Sequence, residues 1–207
     1  MKLRILMEEN VETELKQRAY YLGAPLTSVI ILHLVLYSSS FSASKANLDL
    51  FKGTKSIQIN FRDYVVNLYN DKPRYNHQLH FLISYHLNKV VKKTNEQWKS
   101  FKADKKQRLI FNTYLIDKQI INNIKDFKDK TGLSLTVIIN YAAILDLQDQ
   151  ISNVVGDKQP QGFQLSESII GNLTQECENK NLKLGYLLGE KLEILINSLS
   201  RSLKVRA

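Results

Sequence analysis

The chain is predicted to be mainly α-helical with short β-ribbons, on three observations. One helix entrance is written three times: "GAPLTSVIILHLVL" (23–36), "GLSLTVIINYAAIL" (132–145) and "NLKLGYLLGEKLEIL" (181–195). Each places a residue tolerant of positive φ three positions before Leu, follows it with a small residue, and then turns apolar. Short stretches with strand-like alternation also precede pairs of amphipathic segments. Finally, these blocks begin near residues 2, 55, 108 and 162, a spacing of roughly 53, which marks an internal repeat.

In the first unit, "KLRILM" (2–7) is the strand, with Leu3, Ile5 and Met7 on one side and Lys2, Arg4 and Leu6 on the other. The helix "VETELKQRAYYL" follows, then the turn at Gly23 and a second helix beginning near Thr27. In the third unit, "RLIFNTYL" (108–115) is read with Leu109, Phe111, Thr113 and Leu115 inward, and Ile110, Asn112 and Tyr114 outward. Asp117 caps a helix over 117–130 whose Ile120, Ile121, Ile124 and Phe127 share one face. In the fourth unit, "GFQL" (162–165) precedes a helix presenting Ile169, Ile170, Leu173 and Cys177 to a core, with Ser166 or Ser168 near its cap.

The second unit is degenerate. "KSIQINF" (55–61) turns Ile57, Ile59 and Phe61 inward and Ser56, Gln58 and Asn60 outward. A shortened helix "RDYVVNLYN", a turn at "DKPR" and a second helix over 75–91 complete it. Between units lie serine-rich 38–53, basic 92–107 with Trp98 and Phe101 at helical spacing, and 148–162, which ends in a Pro/Gly turn.

Composition bounds the function. The formal charge of +9 is uneven, with 17 basic against 9 acidic side chains in residues 1–106 and near balance beyond. That excess suits a polyanionic partner. Cys177 is the lone cysteine, so there is no disulfide framework, and a reducing cytoplasm is expected. The longest apolar run, 29–37, is too short for a bilayer, and the N-terminus lacks a signal-peptide core, so no membrane association is expected. His77 and His80 sit three apart, but no acidic or cysteine ligand completes a metal site. No phosphate-binding glycine loop or nucleophile elbow is present. An enzyme, a cofactor and a metal are therefore not expected.

Strand, helix, glycine turn and helix, in this order and length, resemble the ribbon-helix-helix (Arc/MetJ-like) DNA-binding superfamily. The resemblance covers most of the chain outside the linkers and is one of spacing and polarity. It implies two intramolecular ribbon-helix-helix pseudo-dimers, units 1 and 2 over 1–91 and units 3 and 4 over 108–207, joined by a basic linker or helix extension at 92–107. It further implies sequence-specific binding of double-stranded DNA, with each ribbon in the major groove. The base-contacting positions would then be Lys2, Arg4, Leu6, Ser56, Gln58, Asn60, Asn112, Tyr114 and Gln164. Starts of second helices would hold phosphates through Thr27, Ser28, Asn76, Thr136 and Gly185, where free amides and the helix dipole meet an anion. Lys45, Lys52, Lys89, Lys92, Lys93, Lys99, Lys102, Lys105 and Lys106 could add contacts that carry no sequence information.

By analogy, the expected job is that of a plasmid-encoded accessory protein marking a transfer origin, a relaxosome component. Its partners would be a relaxase, repeated or inverted-repeat DNA sites, and further copies of itself on DNA. A repressor or autorepressor, a plasmid partition or copy-control protein, and a helical protein-protein interaction module stay open as alternatives.

Overall fold

Strand β1 (Lys2–Met7) pairs antiparallel with β2 (Lys55–Asn60), and β3 (Leu109–Asp117) pairs antiparallel with β4 (Lys158–Ser166), giving two separate two-stranded sheets. The computed structural model describes residues 1–41, 54–69, 79–147 and 156–204. Its helices are α1 (Glu9–Tyr21), α2 (Leu26–Leu36), α3 (Asp63–Asn67), α4 (Leu79–Lys93), α5 (Lys118–Thr131), α6 (Leu135–Ala143), α7 (Glu167–Lys180) and α8 (Leu184–Lys204). The fold is thus mainly α with short β-ribbons.

The turns between paired helices fall where a left-handed residue was expected. Gly23 has φ 60°, Gly132 φ 74° and Asn181 φ 52°, the positive-φ residues of the described chain. Glycine pays no Cβ penalty there, and asparagine is the next most tolerant residue. Asp117 caps α5 as expected, its Oδ1 accepting from the amides of Gln119 and Ile120. Unit 2 is confirmed as the short one, its first helix α3 having five residues. The "DKPR" turn lies outside the described residues.

Two expectations about strands need correction. Pro160 and Gly162 do not form a turn but lie inside β4, opposite Leu115 and Thr113. A two-stranded ribbon has a free edge on each strand, so a proline without an N–H is tolerated there. The face of β3 is also inverted. Tyr114 and Ile116 point into the core, at 7% and 1% exposure, whereas Phe111 and Leu115 are 65% and 60% exposed. "RLIFNTYLI" is apolar on both sides, so alternation alone could not choose its face. The repeat does choose it: Ile116 stands sixteen positions before Gly132, as Met7 does before Gly23 and Leu165 before Asn181.

Helices reach across the units to cover the sheets. α4 packs on β1, α6 on β4 and α8 on β3, so in each of these contacts a helix of one unit covers the strand of its neighbouring unit. Two asparagines fasten this exchange in the same way. Asn88 of α4 donates through Nδ2 to the Leu6 carbonyl at 3.0 Å and accepts the Glu8 amide at 2.9 Å. Asn140 of α6 donates to the Gln164 carbonyl at 2.9 Å and accepts the Ser166 amide at 2.7 Å. Glu8 and Ser166 are the N-cap residues of α1 and α7, so each asparagine grips a strand-to-helix corner. Each Nδ2 also donates to the carbonyl four residues back, on Ser84 or Thr136. Without these partners the edge groups of β1 and β4 would be left unpaired beneath a helix.

The hydrophobic core is continuous through both halves of the chain, and the basic segment helps to join them. α4 runs two residues beyond 91, and Trp98 is then buried, stacked on Tyr141 of α6 at 5.8 Å. Ala103 and Gln107 donate backbone hydrogen bonds to Gln17 and Tyr20 of α1. Cys177 is buried as expected. Among the described residues no single helix is long and apolar enough to cross a membrane.

Candidate nucleic-acid interface

Alternation in β1 and β2 sends Leu3, Ile5 and Ile59 to the core and leaves the opposite face to solvent. That face holds all six residues expected there. Lys2 stands opposite Asn60, Arg4 opposite Gln58 and Leu6 opposite Ser56. Five of the six are exposed, Leu6 being half-buried. Among the described residues no ion pair engages Lys2 or Arg4. Two cations and two amides therefore stand on a ribbon of the width that enters a major groove.

The β3–β4 ribbon differs. Its outward residues are Phe111, Thr113 and Leu115, facing Gln164, Gly162 and Pro160 respectively. Gln164 is exposed as expected. Tyr114 is corrected to the buried face, and Asn112 shares its side of the strand, opposite buried Phe163. The Phe111 ring lies diagonally over Gly162, where an added Cβ would clash with Cζ. Its three central outward pairs carry no cation; Lys158, opposite Asp117 at the end of the ribbon, lies 5.1 Å from the Tyr186 ring centre.

At the second-helix starts the expected residues separate. Thr27 and Thr136 are half-buried in the first turns of α2 and α6, and Ser134 caps α6 by accepting the Val137 amide. Ser28 is corrected: at 8% exposure its side chain belongs to the core, because α2 is enclosed on nearly every side. Gly185 has a packing role, since a Cβ there would stand 3.3 Å from the Leu115 nitrogen; its absence lets α8 lie against β3. Asn76, His77, Lys45 and Lys52 lie outside the described residues. Lys92 and Lys102 are held by Glu8 and Glu14, which removes them as spare phosphate contacts.

Sequence reasoning missed Arg18, the largest fully buried side chain. Its guanidinium donates to His33 Nε2 at 2.7 Å, Thr94 Oγ1 at 3.0 Å and the Val91 carbonyl at 3.1 Å, and lies 5.0 Å from the Trp98 ring centre. Burial pulls its pKa down to about 10, opposed by nearby Glu14, so it stays charged at neutral pH. Burial, then the Arg18 charge, hold His33 down at about 3. The neutral ring donates from Nδ1 to the Val29 carbonyl at 2.8 Å and accepts from Arg18. The signal was available: Val11, Leu15, Arg18 and Leu22 follow the apolar stripe of α1. This cluster joins α1, α2 and α4 to the basic segment behind the first ribbon.

No family model, curated protein or solved structure matches the chain.

Proposed function

We propose that the protein binds double-stranded DNA sequence-specifically, with the β1–β2 ribbon in the major groove and the two sheets serving as paired ribbon-helix-helix pseudo-dimers. One observation carries this reading: Lys2, Arg4, Gln58 and Asn60 share the outer face of one two-stranded ribbon, whose other face is core. Arg bonds guanine bidentately, Gln and Asn do so with adenine, and Leu6 suits a thymine methyl. The half-buried helix starts at Thr27 and Thr136 supply backbone amides for phosphates. The basic first half supplies the long-range attraction. As a biological role we propose a plasmid accessory protein that marks a transfer origin and works with a relaxase, on the analogy of architecture alone.

The test is selection of bound duplexes from a random pool at physiological salt, with wild type beside Arg4→Ala/Gln58→Ala/Asn60→Ala. A motif for wild type that vanishes in a fully folded triple variant is the expected result. No motif for wild type sinks specific DNA recognition.

A second reading has its own observation. Phe111 and Leu115, exposed on the second ribbon, favour a protein contact over base hydrogen bonding there. On that reading the β3–β4 ribbon serves as a protein-interaction face and base recognition stays with β1–β2.

A further inference from the structure

The two strands of the first ribbon are repeat-related, yet their outward side chains differ at every position. Counted from Met7, which ends β1, and Phe61, which follows β2, Lys2 corresponds to Ser56, Arg4 to Gln58 and Leu6 to Asn60. The pairing centres on Arg4 and Gln58, which stand directly opposite each other. A half-turn about that centre therefore exchanges a guanidinium with an amide, an ammonium with a hydroxyl, and an isobutyl group with an amide. A ribbon built from two identical strands would look the same after that half-turn; this one does not.

From this we infer that the DNA element read by the β1–β2 ribbon is non-palindromic, with guanine preferred on the Arg4 side of its centre and adenine on the Gln58 side. The inference rests on the DNA-binding reading above. Its length follows from geometry. Outward pairs two residues apart advance roughly 7 Å along a strand, so three pairs span about 14 Å. At about 3.4 Å per base pair that is roughly four steps of the duplex. The second ribbon does not restore symmetry, because its outward face offers Phe111, Thr113 and Leu115 against Pro160, Gly162 and Gln164, a different chemistry again.

The experiment uses the full chain and the same random duplex pool, comparing wild type with the exchange variant Arg4→Gln/Gln58→Arg. Both positions are exposed, so thermal melts should match wild type. The expected wild-type motif has direction. In the exchange variant its central bases should become their reverse complement while the flanks keep their orientation. Preference at the centre should swing by about 5- to 150-fold, the range for one bidentate contact. A palindromic wild-type motif overturns the inference and leaves DNA binding standing. A directional motif whose centre ignores the exchange removes the assignment to Arg4 and Gln58. Absence of any motif removes the DNA-binding reading as well.

Discussion

Replacing Asn88 or Asn140 by alanine tests the exchange of helices between units. Each side chain is at most 3% exposed and makes three hydrogen bonds to backbone, two of them to the strand-to-helix corner of the other unit. Intramolecular hydrogen bonds are worth about 1 kcal/mol each net, and a buried partner left unpaired costs about 1–3 kcal/mol. Each alanine variant should therefore lose roughly 3 kcal/mol. For a chain of this size that lowers Tm by about 6–12 °C. Urea denaturation with wild-type m-values would measure it, and amide exchange at Glu8 or Ser166 would accelerate in the matching variant. Asn88→Asp is the sharper probe: it keeps the acceptor for the Glu8 amide but sets a carboxylate oxygen against the Leu6 and Ser84 carbonyls. It should be at least as destabilising as alanine. If either alanine variant stays within about 0.5 kcal/mol of wild type, the asparagine grip is not a structural device, and the reasoning fails.

His33 is neutral in the folded protein with a pKa of about 3, against an ordinary 6.5, so the unfolded chain binds the extra proton between those values. Its contribution to stability is complete above pH 6.5 and is lost as pH falls toward 3, at up to about 1.4 kcal/mol per unit; His33→Gln should flatten that slope in denaturation curves. Gly23→Ala and Gly132→Ala should each cost about 1–2 kcal/mol from the left-handed backbone. Gly23 should be the worse, because an added Cβ would stand 2.5 Å from Leu109 Cδ2, and equal urea midpoints would contradict this. Phe111→Ala/Leu115→Ala should leave the selected DNA motif unchanged, since both side chains sit on the second ribbon; a changed motif would return base recognition to that ribbon.

Much of the architecture was legible in the sequence because it rests on local chemistry. Left-handed turns at Gly23, Gly132 and Asn181, the Asp117 cap, and the clean alternation of "KSIQINF" each depend on a few neighbouring residues. The outer face of the first ribbon followed for the same reason. The second ribbon differs where local chemistry is ambiguous: Leu109, Ile110, Phe111, Leu115 and Ile116 leave both faces apolar, and the choice rests on the sixteen-position spacing to Gly132 and on the packing of α8 and α6, not on alternation. Pro160 and Gly162 carried turn chemistry that strand pairing overrode. The burial of Arg18 was readable from the stripe of α1, but its partners and those of Asn88 and Asn140 were not. Their partners lie 15 to 82 residues away for the contacts that matter, and no window along the chain brings a polar side chain together with such distant groups.

Because both strands of each sheet belong to one polypeptide, pairing is independent of protein concentration, and dilution cannot separate the strands as it would two subunits. The same connection changes how the molecule can vary. In an assembly of identical chains every mutation enters the sheet twice, so a side chain useful on one strand must be tolerated on the other. Here each of the four outward triplets mutates alone. Lys2, Arg4 and Leu6 are free to differ from Ser56, Gln58 and Asn60, and Phe111 can settle over a glycine that its own repeat position never had to accommodate.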